Sequence, residues 1–295
     1  MFRNVRFYRF DSGWPKTEDE SSQLLTQSAF EPCGPLTLRS SGWVPPCPDA
    51  GEALSRRVNG ADLLKLRSQS RVLPASAINE ELEVRIEEYR ERMQEPPPPR
   101  EKRRMKSEAR DELMPKALLK SDRIFGFVDP KEKFIAIDAA QSSVAERFLR
   151  RLGAAATLAN LRPMQFQKPL GDLLGKIFLE DGPQQFFAGR ECRMQDRADY
   201  GAKVRWNNFD LTEPSIRTHV SDGMRLTHLE IVYDNILTCV IDEDGIISKL
   251  RFVGMEEDSS DALDPISRQD AEFVVLSGSL RNLIADLGKS LGGLV

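Results

Sequence analysis

The chain has 295 residues, of which 40% are hydrophobic and 30% charged. Its 42 Lys and Arg stand against 46 Asp and Glu, a formal net charge of −4. This composition excludes a wholly disordered chain and a uniformly basic nucleic-acid binder, while leaving room for local basic surfaces.

The length fits two domains or one elaborate one. No apolar run reaches the roughly 20 residues a membrane-spanning helix needs. The opening Met1-Phe2-Arg3-Asn4-Val5-Arg6 lacks the apolar core of a secretory signal. Cys33, Cys47, Cys192 and Cys239, with His219 and His228 as the available histidines, match no zinc-ligand spacing. They read as packed thiols in a reducing cytoplasm, with neither metal nor cofactor expected.

Val5 to Tyr8 reads as an opening strand. Arg3, Arg6 and Arg9 beside it suit either a solvated strand edge or phosphate contact. Ile78, Leu82, Ile86, Tyr89 and Met93 recur at helical spacing, with Asn79 as the expected cap. Pro96 to Pro99 stop that helix and form a short stiff spacer. A second helix is expected over Lys102–Leu119, on Met105, Ala109, Leu113 and Ala117, with a kink or early end at Pro115. The pair reads as a projecting, highly charged arm.

Ile124–Val128 and Phe134–Asp138 flank Asp129-Pro130-Lys131 as a hairpin. Ser142 or Ser143 caps a helix carrying Val144, Phe148, Leu149 and Leu152, closed by Gly153. A second hairpin pairs Leu229–Ile241 with Ile246–Val253 around Asp242-Glu243-Asp244-Gly245. Phe273–Leu276 reads as a strand. Leu280, Leu283, Ile284, Leu287 and Leu291 form a final helix ended by Gly292-Gly293. Helices interleaved with hairpins favour an α+β fold over a parallel doubly wound one.

Gly171-Asp172-Leu173-Leu174-Gly175-Lys176 superficially resembles a phosphate loop. It is one residue short, is followed by Ile177 instead of Ser or Thr, and carries two bulky leucines, so it reads as a helix face. Asp242 and Asp244 read as turn chemistry and not as magnesium ligands. The strongest local signal is basic. From Arg100 to Arg123, nine Lys or Arg meet five Asp or Glu, a net +4. At about 100° per helical residue, Arg103, Lys106 and Arg110 fall within about 60° of one another. Such a face is either solvated or meets phosphates, whose neutralisation releases counterions. Lys203-Val204-Arg205-Trp206-Asn207-Asn208-Phe209 is a second candidate, combining cations, amides and aromatics. The alternative for it is a strand with Trp206 buried and a charged outer face.

Several segments together resemble the bacterial RdgC family of recombination-associated DNA-binding proteins. They are Ala29-Phe30-Glu31-Pro32-Cys33-Gly34, Gly42-Trp43-Val44-Pro45-Pro46, Leu73-Pro74-Ala75-Ser76-Ala77-Ile78 and Leu113-Met114-Pro115-Lys116-Ala117. Phe134-Ile135-Ala136-Ile137-Asp138, Asp244-Gly245, Lys249-Leu250-Arg251-Phe252 and Phe273 to Gly278 follow in the same order. The resemblance implies an α+β, horseshoe-like subunit with a projecting arm, closing as a homodimer into a ring around duplex DNA. It implies single-strand binding, functional antagonism of RecA by competition for DNA, and a cytoplasmic, nucleoid-associated protein with no membrane contact. It places a base contact in the C-terminal half and a gate at the tips. Leu118 takes a gate position at which a relative carries an aromatic. The loop before Asp210-Leu211-Thr212, basic in that relative, reads Trp206-Asn207-Asn208-Phe209 here.

The expectation is therefore a non-catalytic, non-sequence-specific DNA-binding ring. Residues 1–78 with 119–165 form a central α+β region, 79–118 a helical tip, and 166–295 a dimerising base. The expected DNA contacts are Arg100, Lys102, Arg103, Arg104, Lys106 and Arg205, with Leu118 at the dimer gate. The rival readings are an adaptor docking through Pro96–Pro99 and a metal-dependent nucleic-acid enzyme. Residues 254–272 carry seven acids against Arg268 alone. The net charge thus conceals a partition, with acidity placed away from the basic faces.

Overall fold

A computed structural model describes residues 2–47, 49, 51–254 and 264–295. The chain opens with β1 (Arg6–Arg9), α1 (Glu18–Thr26), β2 (Arg39–Val44), β3 (Ser55–Val58) and β4 (Ala61–Val72). Two helices follow, α2 (Ala75–Met93) and α3 (Pro99–Leu113), then a 3-10 turn over Met114–Lys116. Next come β5 (Leu118–Asp129), β6 (Phe134–Ile137), α4 (Ser142–Ala155), β7 (Arg162–Pro163) and α5 (Leu170–Phe178). The remainder is β8 (Phe186–Asp196), β9 (Lys203–Trp206), α6 (Pro214–Ser221), β10 (Met224–Tyr233), β11 (Leu237–Asp242), β12 (Ile247–Phe252) and α7 (Pro265–Ser290). Helices and antiparallel sheets are mixed, as the α+β expectation requires. No described helix is long and apolar enough to cross a membrane.

The chain forms two compact units. One comprises Met1–Gln27, Pro45–Lys65 and Ile124–Val295, the other Ser28–Val44 and Leu66–Arg123. The strands β4 and β5 pass from one unit into the other.

In the first unit a five-stranded antiparallel sheet has the order β12-β11-β10-β8-β9. The helices α5 and α7 supply much of its core. Leu170, Leu173, Leu174, Ile177 and Phe178 come from α5, and Phe273, Leu276, Leu280, Leu283, Ile284 and Leu287 from α7. The α7 residues recur at helical spacing, so one stripe faces the core from Phe273 to Leu287. Its N-terminus is closed by Asp264, whose carboxylate accepts from the amides of Ile266 and Ser267. The same core reaches β5 and β6, where Phe127 meets Phe134 and Phe273 edge-on at 5.6 and 5.5 Å.

The β5–β6 hairpin pairs Gly126 with Ile137 and Asp129 with Phe134. A Cβ on Gly126 would lie 2.6 Å from the Phe148 ring of α4, so only glycine lets that helix seat. Asp129 is fully buried. It accepts from the amides of Lys131 and Glu132 at 3.0 and 2.9 Å and from Arg281 of α7 at 2.8 Å. A buried carboxylate is tolerable only when satisfied in this way.

In the second unit α2 and α3 pack as an antiparallel pair around Leu82, Met105 and Ala109. Beside them β2, β4 and β5 are neighbours. Two of the segments that carried the family resemblance meet here. Phe30 donates to Trp43 O at 2.9 Å, and Trp43 to Ser28 O at 3.0 Å.

Several expectations are corrected. Phe273–Leu276 is helix and not strand, because Phe273 and Leu276 are in phase with Leu280 on one buried stripe. The second arm helix starts at Pro99, not Lys102, and ends at Leu113, so Leu118 lies on a strand. Asn79 is inside α2, which begins after Pro74 without a side-chain cap. The helix carrying Phe148 is preceded by Gln141, not capped by Ser142 or Ser143, and continues past Gly153 to Ala155. Leu229–Ile241 is not one strand but parts of β10 and β11, turned at Asp234 and Asn235 with φ of +52° and +55°. Asp and Asn adopt that left-handed backbone more readily than other non-glycine residues, which makes them turn formers. In the acidic stretch, Glu256, Glu257, Asp258 and Asp261 lie outside the described residues. Of the rest, Asp270 pairs with Arg56 and Glu272 with Arg268. All four cysteines are buried as free thiols, and burial pushes the Cys192 thiol up to about 12.

Replacing Asp129 by Ala leaves Arg281 without its carboxylate and two amides without their acceptor. It should cost about 3 kcal/mol of stability, read as a fall in the urea midpoint with no change in slope.

Candidate nucleic-acid interface

Pro99 at the first position and the extended Pro98 before it start α3, because proline presets helical φ where no amide donor is needed. Pro96–Pro98 alone therefore form the spacer. At 100° per residue, Lys102, Lys106, Arg110, Arg103 and Arg100 span an arc of about 160° on α3 that contains no acid. All five are exposed. Lys106 is steadied by Asn79 of α2, whose side-chain oxygen accepts at 3.1 Å.

The acids Glu101, Glu108, Asp111 and Glu112 occupy the other side of α3. Arg85 of α2 pairs with Glu81, Glu108 and Glu112. The acidic side is thus partly neutralised by the neighbouring helix, while the basic arc is left open. Arg104 falls among the acids. It is held by Glu101 at 2.5 Å and Glu108 at 3.4 Å. The structure thus gathers five cations on one face and leaves Arg104 outside it.

Leu118 is the first residue of β5 and 79% exposed, with Leu119 and Leu36 also exposed. The turn before it is held by Arg71 on β4. Its guanidinium donates to the carbonyls of Met114, Pro115 and Ala117 at 3.0 to 3.4 Å, and to Gly34 at 3.1 Å. Sequence reading missed Arg71, since nothing local marks an arginine that satisfies carbonyls about 40 positions away.

In the first unit, β9 carries Arg205 at an edge of the five-stranded sheet. Register places Arg205 beside Arg193, Arg193 beside His228, and His228 beside Asp242. A polar row therefore crosses four strands. Glu191 on β8, whose side chain is only 8% exposed, binds Arg205 at 2.8 Å and also Lys249 from the opposite edge strand. Burial would raise the Glu191 pKa, but hydrogen bonds from Lys249 and Arg205 outweigh it and hold the carboxyl below its usual value. Burial, and then Arg193, lower the His228 pKa, against opposing pulls from Asp242, Glu243 and Glu191.

Trp206 is half-buried against His219, with ring centres 5.1 Å apart. Phe209 in the next loop is 49% exposed. Asn208 takes a left-handed φ of +52°, and its side chain accepts from Arg190 at 3.0 Å. Of the two aromatics, Phe209 presents the freer face. Sequence reading also missed Arg193, Glu191 and Lys249. Alternation with the buried Cys192 and Met194 was the available signal for the first two.

Gly171–Lys176 lies within α5, with Leu173 and Leu174 buried. Asp242 accepts from the amides of Asp244 and Ile246 at 3.0 and 2.8 Å, which is turn chemistry. Among the described residues, no cluster of three or more His, Cys, Asp or Glu is placed to hold a metal.

Arg71→Ala removes charge-assisted hydrogen bonds to four carbonyls and should cost about 2–3 kcal/mol. Hydrogen exchange should show the amides near Leu118 opening faster, with α7 unaffected.

The sequence model of the family described as "Putative exonuclease, RdgC" matches residues 1–294. Proteins named recombination-associated protein RdgC are similar to nearly the whole chain. That of Stenotrophomonas maltophilia is 31% identical over 290 residues, 96% of this chain and 95% of its own length. That of Sodalis glossinidius is 28% identical, over 99% and 97%. That of Halorhodospira halophila is 29% identical, over 99% and 98%. With the family match covering virtually every residue, the chain belongs to the RdgC family.

Proposed function

We propose that this chain acts in recombination as a DNA-binding protein without sequence preference. The carrying observation is the acid-free arc of Lys102, Lys106, Arg110, Arg103 and Arg100 on α3. Cations on a rigid helix neutralise phosphates, and phosphate contact carries no base identity. Arg205 and the polar row beside it are a further contact region. The 49% exposure of Phe209 supports stacking on an unpaired base and, with it, single-strand binding.

In this reading the protein is a cytoplasmic, nucleoid-associated homodimer that closes into a ring around duplex DNA and restrains RecA by occupying the same DNA. Leu118 closes the gate between tips, with the 166–295 region forming the base contact. Its exposure of 79% gives it apolar area to bury against a second copy. A leucine there supplies less area than an aromatic and no ring stacking.

A second reading, nuclease activity, is favoured by the exonuclease description of the matching family model. The experiment that separates them is duplex binding across a salt series, run beside incubation with magnesium or manganese. The binding reading expects log affinity to fall linearly with log salt, at about −0.9 per phosphate contacted. A flat salt response overturns it, and release of nucleotides from DNA ends establishes the second reading.

Charge reversal of Arg103, Lys106 and Arg110 together should lower duplex affinity roughly a hundredfold and reduce the salt slope by about three. Arg104→Ala should change the slope by less than one, because that guanidinium is already paired. Leu118→Ser should loosen tip closure while leaving a dimer in sedimentation, seen as faster release from circular DNA.

A further inference from the structure

The edge strand β12 carries a feature that neither the arm nor Arg205 explains. Arg3, Asn4, Lys249, Leu250 and Arg251 line an open pocket of about 500 Å³. Three of these residues are cations, and no acid is among them. The pocket is built on backbone hydrogen bonds. Leu250 donates to Arg3 O at 3.0 Å, and Val5 and Ile247 exchange amide hydrogen bonds at 2.8 and 3.0 Å. Asp138 accepts from the amides of Arg3 and Asn4 at 3.2 and 2.9 Å, which fixes the N-terminal segment beside β12.

Lys249 lines this pocket from within β12. Its φ is +55°, a left-handed backbone that disfavours a residue with a Cβ. It lies in a β-bulge. Thr238 pairs with Arg251 and Val240 with Ser248, so Lys249 and Leu250 together oppose Cys239. Glycine or asparagine would make that bulge with less strain. The bulge buries Leu250 and leaves Lys249 and Arg251 exposed on either side of it. Among the described residues Arg3 and Arg251 make no ion pair, and Lys249 shares Glu191 with Arg205. A strained backbone that gathers under-neutralised cations around a pocket points to an anion.

We propose that Arg3, Lys249 and Arg251 bind a phosphate group of a nucleic-acid backbone. Guanidinium forks match phosphate oxygens two at a time, and the lysine adds a point charge. The inference rests on the DNA-binding reading and adds a second anchoring point to it. Glu191 ties the pocket to Arg205 across the sheet.

The test uses the full chain with Arg3→Ala and Arg251→Ala combined, which leaves every backbone hydrogen bond of the pocket in place. Against a 30-base-pair duplex at low salt, the expected result is a roughly tenfold loss of affinity and a salt slope lower by about one, with unchanged Tm. Affinity and slope equal to the parent protein's would overturn the proposal. A parallel arm measures acetylation of Lys249 with and without inorganic phosphate. Protection by phosphate alongside unaltered duplex affinity would assign the pocket to a free anion and overturn the backbone assignment. A parent protein that binds no duplex at all would overturn the DNA-binding reading itself, and with it the backbone assignment. Should the double variant fold poorly, Arg251→Gln alone carries the same comparison, expecting a several-fold loss.

Discussion

The buried carboxylate of Asp129 joins the β5–β6 turn to α7. Arg281, its partner on α7, also donates to the carbonyl of Asn59 between β3 and β4. A charge removed from water must find donors within the fold, so its ligands have little freedom. The hairpin register follows from that turn, and the register sets Gly126 where the Phe148 ring needs space. From the same hairpin Phe127 reaches Phe273 on α7. The long helix that covers the five-stranded sheet is thereby held to the sheet that contains β1, and the first unit closes around one core.

Electrostatic sorting is a second organising constraint. On α3 the acids lie toward Arg85 and the cations away from it. On the five-stranded sheet one nearly buried glutamate restrains Arg205 and Lys249, cations from opposite edges. In both places carboxylates are consumed by structure, so the exposed face is more positive than composition suggests. A formal charge of −4 is compatible with basic surfaces when the acids are spent elsewhere. Asp264 at a helix cap and Asp270 against Arg56 follow the same pattern.

Legibility differed by element, for physical reasons. The β5–β6 hairpin and the stripe from Leu280 to Leu291 were readable because periodicity and turn residues agree locally. Phe273-Val274-Val275-Leu276 looked like a strand because β-branched and aromatic residues favour one, yet a continuous stripe on α7 buries more than a short isolated strand could. The turn at Asp234-Asn235 was missed inside a long apolar run, although the residue pair was a usable signal. Lys106 and Arg103 were placed on one face correctly because helical geometry follows from spacing. Arg104 was grouped with them although the same spacing turns it to the acidic side of α3, where Glu101 and Glu108 hold it.

The α+β character, the basic helix after the prolines and membership of the RdgC family were legible in the order of residues, since periodicity, local charge and ordered motifs are properties of neighbouring residues. Which cations stand free, the hold of Arg71 on the turn before Leu118, and the meeting of Arg3 with Lys249 and Arg251 around one pocket follow from the folded chain. Those outcomes join residues as far apart as the N-terminal segment and the last strand. Backbone pairing and buried charge bring them together, and no window along the chain contains both sides of such a contact.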